Sequence, residues 1–186
     1  MAVAVSDIKV IHSGLLDYQT AWQLQRKIHE GVANNTEANT LMLVEHPSVF
    51  TAGRRTDLLE RPTDGTPVVD VDRGGRITWH GPGQIVGYPI VNVENSLGAS
   101  GHVCDIQRLV VGALRELGLD DVGCLDEYPG VWVGVEAGTP RKISAIGVRL
   151  SRGRTMHGFA LNVHPDMAYM REHIVPCGIE IGRAHV

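Results

Sequence analysis

A glycine-rich segment between two short apolar runs constrains the fold of this chain most strongly. Residues 73–84, Arg-Gly-Gly-Arg-Ile-Thr-Trp-His-Gly-Pro-Gly-Gln, hold four glycines within eleven positions. Glycine is tolerated where the backbone turns sharply or touches a ligand. The apolar runs at 77–80 and 85–90 predict two strands around a tight turn at 81–83. The glycine spacing is neither that of a P-loop nor that of a dinucleotide-binding fingerprint, so an ordinary β-hairpin and a ligand-binding loop are the two alternatives.

Hydrophobic periodicity predicts two amphipathic helices. In the first, residues 17–32, apolar side chains recur at three- and four-residue steps, and Asp17 is the predicted N-cap. The second, residues 100–117, is expected to end before Gly118, because glycine suits the position that follows a helix. The predicted core-facing positions are Ala21, Leu24, Ile28 and Val32 in the first helix and Val103, Ile106, Val110, Leu114 and Leu117 in the second.

Short apolar runs predict further strands at residues 41–44, 68–71, 131–135, 142–150 and 155–163. Residues 151–154, Ser-Arg-Gly-Arg, are expected to join the last two strands as a hairpin turn. Grouped hairpins differ from the regular strand-helix alternation of a doubly wound fold. The sequence therefore predicts an α+β fold, with a mixed or antiparallel sheet and helices packed on it.

Charge and composition argue against several classes of protein. Seventeen Lys and Arg residues against 21 Asp and Glu residues give a formal charge of -4, which does not suit a binder that neutralises phosphates with a basic surface. No apolar stretch approaches the roughly 20 residues that span a bilayer. The first residues lack the regions of a signal peptide, and three widely spaced cysteines do not suggest a disulfide framework. We expect a cytoplasmic protein with no nucleic-acid and no membrane partner.

Metal chemistry is not indicated either. The nine histidines include no His-Glu-x-x-His pattern, and no cysteine pair has zinc-ligand spacing. No metal ion and no cofactor are implied.

Several motifs resemble one known family. Residues 73–88, Arg-Gly-Gly-x-x-Thr-Trp-His-Gly-Pro-Gly-Gln-x-Val-x-Tyr, resemble the signature of the lipoyl(octanoyl) transferases, which are octanoyl-[acyl-carrier-protein]:protein N-octanoyltransferases. Four further segments resemble the same family in the same order, at residues 45–54, 141–147, 157–163 and 174–178. The resemblance implies the fold of the biotin/lipoate protein ligase catalytic domain. It also implies lipoate biosynthesis, with octanoyl-acyl-carrier protein as donor. The implied acceptors are lysines of the lipoyl domains of 2-oxoacid dehydrogenase complexes and of the glycine-cleavage H protein.

The resemblance implies Cys177 as the nucleophile that carries the octanoyl group and Lys142 as the general acid/base. Two-step transfer through an acyl-cysteine suits thioester chemistry, because thioester exchange is nearly isoenergetic and needs no ATP. Cys104 lies within the second predicted helix, and Cys124 lies among acidic residues that would raise its pKa. His80 is the rival base, since Cys–His pairs are common in acyl transfer. We expect His80 to shape the pocket instead.

The resemblance also implies a substrate pocket with small and apolar lining residues, which suits a saturated eight-carbon chain. The substrate-binding residues that it implies are Arg73, Gly74, Gly75, Arg76, Ile77, Thr78, Trp79, His80, Ala145, Ile146, Gly147, Gly158, Phe159 and Ala160. His157 and His164 are expected to be structural or to support the site. Arg54, Arg55 and Arg149 are candidates for docking an acidic carrier protein or lipoyl domain.

The resemblance ends shortly after Cys177. We interpret residues 1–179 as a single octanoyltransferase catalytic domain that is truncated at its C-terminus, and residues 180–186 as a non-native tail. Two other functions stay open. One is an ATP-dependent ligase of the lipoate or biotin type, which would activate a free acid as an adenylate; the other is a non-catalytic fragment that only binds carrier protein. The Pro-Cys-Gly sequence at 176–178 and the 79–84 segment favour transfer over ligation.

Overall fold

The computed structural model describes residues 8–63, 65–93 and 98–172. Cys177 and the 180–186 segment lie outside the described residues. The strands are β1 Lys9–Leu15, β2 Thr40–Glu45, β3 Val49–Ala52, β4 Val68–Asp70, β5 Thr78–His80, β6 Gln84–Ile90, β7 Val122–Leu125, β8 Tyr128–Val133, β9 Arg141–Ser151 and β10 Arg154–Asn162. The helices are α1 Tyr18–Ala33, α2 Gly98–Glu116 and α3 Ala168–Glu172, with a 3-10 turn at Leu58–Glu60.

The strands form two sheets. The larger has seven strands in the order β1-β2-β6-β10-β9-β8-β7, in which β1 runs parallel to β2 and all other neighbours are antiparallel. The smaller has three strands in the order β4-β3-β5. Helices α1 and α2 pack on strands of the larger sheet, α1 on β6 and β10 and α2 mainly on β7, β8 and β9. The predicted α+β fold with a mixed sheet is confirmed.

Both predicted helices are present, and their ends follow from local capping. Asp17 caps α1, because its Oδ2 accepts a hydrogen bond from the Thr20 N–H at 3.0 Å. After α2, Gly118 has φ +88°, and the N–H groups of Gly118 and Leu119 bond back to the last turn. The prediction was wrong for Leu117, which is 76% exposed because the helix has already ended at Glu116.

The predicted strand pair around residues 81–83 exists, but the two strands do not pair with each other. β5 pairs with β3 in the smaller sheet, whereas β6 lies between β2 and β10 in the larger one. The turn therefore carries the chain from one sheet to the other. The turn is fastened by Gly83, which has φ +84° and donates its N–H to Glu45 Oε2. Gly81 packs against the Trp79 ring, with which a Cβ would overlap. The simple hairpin is thereby excluded.

The hairpin predicted at 151–154 is confirmed as the β9–β10 connection. Its central residues, Arg152 and Gly153, both have positive φ, which is the requirement of the turn that matches strand twist. Three strands were missed. β1 is largely exposed, while β3 and β7 have only four residues each, so none shows a distinct apolar run.

Four groups of buried side chains hold the layers together; the smallest, Ile28, Val32 and Ile90, joins α1 to β6. The one beneath α2 contains Ile106, Val110, Leu114, Val122, Val131, Ile143 and Phe159. The one beneath α1 contains Ala21, Met42, Val44, Val86, Tyr88 and Ala160. The third joins α3 to the smaller sheet through Phe50, Ile77, Trp79, Met167 and Met170. In the part of the chain that the structure describes, no helix has the length and apolar character needed to cross a membrane.

Candidate active site

A pocket opens where the 73–80 segment faces β6, β9 and β10. It contains about 570 Å³ of empty space, part of it open to solvent. Lys142 and all predicted substrate-binding residues except Gly74 and Trp79 line this pocket: Arg73, Gly75, Arg76, Ile77, Thr78, His80, Ala145, Ile146, Gly147, Gly158, Phe159 and Ala160. Residues that are far apart in the sequence therefore meet at one concave site. Their role in binding substrate stays a prediction.

Gly74 and Trp79 have positions beside the pocket rather than in its lining. Gly74 fastens the loop to β9, because its N–H donates to Val148 O at 2.9 Å. Trp79 is buried in the core of the smaller sheet, where its Nε1 donates to Ser48 Oγ at 2.8 Å and its ring stacks on Tyr169. Both residues thus support the loop that carries the lining side chains.

Arg73 is the central support of that loop. Its buried guanidinium donates through Nη2 to the Thr51 carbonyl and hydroxyl, at 2.8 and 2.9 Å. Through Nη1 it donates to the carbonyls of Gly74 and Arg76, at 3.0 and 2.9 Å. Gly147 lies opposite, and a Cβ there would stand 3.1 Å from both Arg73 Cδ and Gly74 O, so these atoms would have to shift to admit a larger residue. The first half of the loop is therefore fastened to β3, and the Arg73 side chain lies at the pocket.

His80 is neutral. Burial is the main cause, and the nearby His46 the second, of a His80 pKa that is lowered to about 3. Because Gln84 Nε2 donates to Asn162 Oδ1, Gln84 Oε1 must accept from His80 Nδ1–H, at 2.7 Å. His80 Nε2 then faces Thr51 Oγ1 at 3.5 Å. So weak a base, whose free Nε2 faces Thr51, favours a pocket-shaping role over that of a general base.

A second aromatic and histidine layer lies behind His80. His46 is fully buried and donates from Nδ1 to Leu16 O at 2.7 Å, so that its Nε2 accepts from the Tyr88 hydroxyl at 2.8 Å. The Tyr18 ring stacks on His80 with 6.0 Å between centroids. Burial raises the pKa of Tyr18 to about 12 and raises that of Tyr88 well above its usual value. This layer carries no net charge at neutral pH.

A separate polar cluster forms at His157, which also lines the pocket. Burial, with Arg73 and Arg149 nearby, lowers the pKa of His157 to about 3. Its Nε2–H donates to Asp72 Oδ1 at 2.7 Å, because a carboxylate can only accept. Asp72 also forms an ion pair with Arg149. His157 has φ +58°, a conformation that is costly for a non-glycine residue. Arg149 was a docking candidate, but this ion pair occupies its charge.

Five lining residues were not predicted: Tyr18, Val86, Tyr88, Pro129 and His157. Three of them had a signal, because Val86 and Tyr88 belong to the 73–88 signature and His157 begins the 157–163 segment. Tyr18 and Pro129 stand outside every resembling segment, and only the packing of α1 and β8 brings them to the pocket. Among the described residues, no three His, Cys, Asp or Glu side chains are arranged to hold a metal ion.

Lys142 stands at the pocket wall near the start of β9. Its Nζ donates to Pro129 O at 3.1 Å and lies 4.8 Å from the centroid of the Trp132 ring, within cation–π range. Both described cysteines, Cys104 and Cys124, are exposed, and neither lines the pocket. The pKa of Cys124 is raised as expected, but partial burial is the main cause rather than acidic neighbours.

Comparison with known proteins identifies the family. Residues 17–185 match the model of the lipoyl protein ligase A/B catalytic domain. An octanoyltransferase of Salinispora arenicola is 47% identical over 180 residues, which cover 96% of this chain and 84% of that protein. The chain belongs to the octanoyltransferase family. An octanoyltransferase of Mycobacterium tuberculosis is 52% identical over 177 residues, which cover 94% of this chain and 74% of that protein.

Solved structures agree with the fold of this acyltransferase. A crystal structure of lipoate-protein ligase A bound with ATP superposes with a TM-score of 0.67 at 17% identity, covering 91% of this chain and 71% of that one. A putative lipoate protein ligase from T. acidophilum superposes with a TM-score of 0.67 at 15% identity, covering 95% of this chain and 78% of that one. At such identities the likeness shows the shared fold alone, which is the predicted ligase-type catalytic fold.

Proposed function

We propose that this enzyme transfers an octanoyl group from octanoyl-acyl-carrier protein to a lysine of lipoyl domains, as the first step of lipoate biosynthesis. The observation that carries the proposal is the pocket itself. Lys142 lines this pocket together with apolar and small residues. The sequence of the chain is 47% and 52% identical to those of the two octanoyltransferases described above. The proposed acceptors are lipoyl domains of 2-oxoacid dehydrogenase complexes and the glycine-cleavage H protein. We assign residues 1–179 to one catalytic domain.

The pocket suits a saturated acyl chain for two physical reasons. Its walls include Val86, Ala145, Ile146 and Ala160. Burying an alkyl chain against such apolar walls is favourable by about 0.8 kcal/mol for each CH₂ removed from water. The imidazole of His80 is neutral, so an apolar ligand need not displace water from a charged group there. We therefore assign the pocket to the octanoyl chain and its thioester.

The proposed reaction has two half-reactions that share one base. Cys177 Sγ attacks the thioester carbonyl, the carrier thiol leaves, and the octanoyl group is held as a new thioester on Cys177. Lys142 Nζ takes the Cys177 proton and delivers it to the departing carrier thiolate. In the second half-reaction the acceptor lysine nitrogen attacks the same carbonyl. An amide forms, Cys177 leaves as thiolate, and Lys142 Nζ moves the lysine proton to it.

Two features support Cys177 and Lys142 in these roles. Lys142 lies on the pocket wall, where Pro129 O holds its Nζ. The other two cysteines stand elsewhere: Cys104 on the exposed side of α2 and Cys124 on β7 at the far edge of the larger sheet. Neither could attack a thioester bound in the pocket, which leaves Cys177 as the thiol to test.

A first experiment combines intact-protein mass spectrometry with octanoyl-carrier protein in the absence of ATP. We expect one octanoyl adduct on the wild-type chain, mapped to Cys177 and absent from Cys177→Ser. Lys142→Gln should slow adduct formation about 10²- to 10⁴-fold, because a positioned acid/base contributes that much. The exposed lysine variant Lys27→Gln is the matched control and should acylate at the wild-type rate.

Other outcomes would point to other functions. Acylation that requires ATP and free octanoate would identify a ligase and overturn the proposal. A folded chain that binds carrier protein but forms no adduct would identify a non-catalytic binder. An adduct on Cys104 or Cys124 would reject Cys177 as the nucleophile.

A further inference from the structure

An exposed apolar and basic surface lies next to the pocket rim, on the segment between β3 and β4. It consists of Arg54, Arg55, Leu58 and Leu59, which we call the 54–59 surface. Leu58 and Leu59 are 82% and 93% exposed, more than any other large apolar side chain among the described residues. Two adjacent leucines in water cost free energy unless a partner covers them, so contiguous apolar exposure marks interaction sites.

The 54–59 surface is rigid rather than a loose loop tip. Asp57 and Glu60 form a reciprocal capping box around the 3-10 turn, with Asp57 N–H donating to Glu60 Oε2 at 2.9 Å and Leu59 N–H to Asp57 Oδ1 at 3.0 Å. Thr56 N–H closes the preceding turn on Gly53 O at 3.0 Å. The leucines are therefore held outward by the backbone, at little further entropic cost on binding.

Two contacts tie this surface to the pocket. Glu60 forms an ion pair with Arg76, and Arg76 lines the pocket. Arg55 N–H donates to the carbonyl of Gly75, another lining residue, at 3.1 Å. A protein that covers Leu58 and Leu59 would thus stand at the pocket rim, close enough to insert a tethered group.

The charge of the surface selects the kind of partner. The guanidinium groups of Arg54 and Arg55 are exposed and have no carboxylate partner within the described residues, on a chain whose formal charge is -4. The exposed Asp57 carboxylate between them and Leu58 accepts from Leu59 N–H, so the segment carries two positive side chains and one negative one. Two unpaired cations beside an apolar pair favour an acidic protein face that carries apolar side chains. They also favour a phosphodiester, which attaches the acyl-bearing arm to the carrier protein. An approaching lysine ammonium, which the acceptor must present, is disfavoured by the same cations.

We propose that the 54–59 surface docks the acyl-carrier protein that donates the octanoyl group, and that the acceptor domain approaches from another direction. This inference rests on the proposed function. The arginines receive the acidic face and the phosphodiester, the leucines receive apolar side chains of the carrier, and the arm enters the pocket past Arg76.

The test compares two octanoyl donors: octanoyl-carrier protein and octanoyl-pantetheine, a small thioester with no protein and no phosphate. The test variants are Leu58→Ser with Leu59→Ser, and Arg54→Ser with Arg55→Ser. The matched controls are Leu117→Ser and Arg108→Ser, both at exposed positions on or after α2. Acyl-enzyme formation and transfer to a lipoyl domain are measured for each, with circular dichroism melts to verify folding.

We expect each double variant to raise KM for octanoyl-carrier protein about 10-fold or more, while kcat and the octanoyl-pantetheine reaction change less than about 2-fold. Raising the ionic strength should increase the wild-type KM for the carrier and should have less effect on the arginine variant. Both controls should behave as wild type.

Unchanged carrier KM values in folded variants would overturn the docking assignment. A raised KM for the lipoyl domain alone would assign the surface to the acceptor. If size-exclusion chromatography shows a wild-type dimer that the leucine variant loses, the surface belongs to a second copy. Either result overturns the proposal. If the wild-type enzyme accepts octanoyl from neither donor, the proposed function fails, independently of what the variants show.

Discussion

Acid should destabilise this fold at a pH set by its buried neutral histidines. Burial lowers the pKa of His80 and of His157 to about 3 in the folded chain, whereas an unfolded histidine titrates near 6.5. Between these two values the unfolded chain binds a proton on each histidine and the folded chain does not. Falling pH therefore favours unfolding: the stabilisation is complete above about pH 6.5 and is lost progressively towards pH 3.

The magnitude follows from the same shifts. Each histidine contributes a slope of about 1.4 kcal/mol per pH unit within that window. From pH 6.5 to 4.5 the two together should lower the free energy of unfolding by roughly 5 kcal/mol, which is comparable with the whole stability of many domains. We expect the fold to be lost near pH 4 to 5, where ordinary carboxylates only begin to be neutralised at the upper end.

Urea denaturation at half-unit pH steps measures the slope directly. His80→Gln keeps a polar side chain at the site but removes one titration, so the slope should fall by about 1.4 kcal/mol per pH unit relative to wild type. The exposed residue His12 provides the control, and His12→Gln should leave the slope unchanged. Equal slopes for wild type and His80→Gln would refute the reasoning, as would an NMR titration of folded His80 with a midpoint near pH 6.5.

Two further predictions concern the loop and the charges around the pocket. Gly147→Ala places a Cβ 3.1 Å from Arg73 Cδ, so it should lower the free energy of unfolding by about 1 to 3 kcal/mol and kcat/KM for octanoyl transfer about 10-fold. Urea denaturation measures the first effect and the rate of acyl-enzyme formation the second. A variant with wild-type activity would contradict the prediction. Asp72→Asn removes the charge that Arg149 pairs with and should destabilise the fold by about 1 to 3 kcal/mol, discounted for partial exposure. In urea denaturation, exposed Asp126→Asn should change stability by less than about 0.5 kcal/mol, and an equal loss in both variants would refute the role of the ion pair.

Local sequence patterns predicted many of the helices, strands and turns. The two helices and the β9–β10 hairpin were predicted because capping, periodicity and turn chemistry act over a few residues: Asp17 bonds its own first turn, and Gly118 needs only its own φ. The same holds for the glycine-rich loop, where close approach of backbone was expected from composition. The family resemblance also predicted most of the residues that meet at the pocket.

Long-range contacts decided the rest. The local sequence does not predict that β5 and β6 belong to different sheets, because strand pairing depends on partners that are distant in sequence. Nothing local in the sequence predicts that His80 is neutral or that Arg149 is ion-paired. His80 becomes buried, and Asp72 reaches Arg149, only when the 73–80 loop folds over β9 and β10. The sequence by itself determined the helices, most of the strands and the side chains that are available at the pocket. The tertiary structure alone decided which of these groups are charged, which are paired and which face the pocket, because desolvation and ion pairing depend on what packs around them.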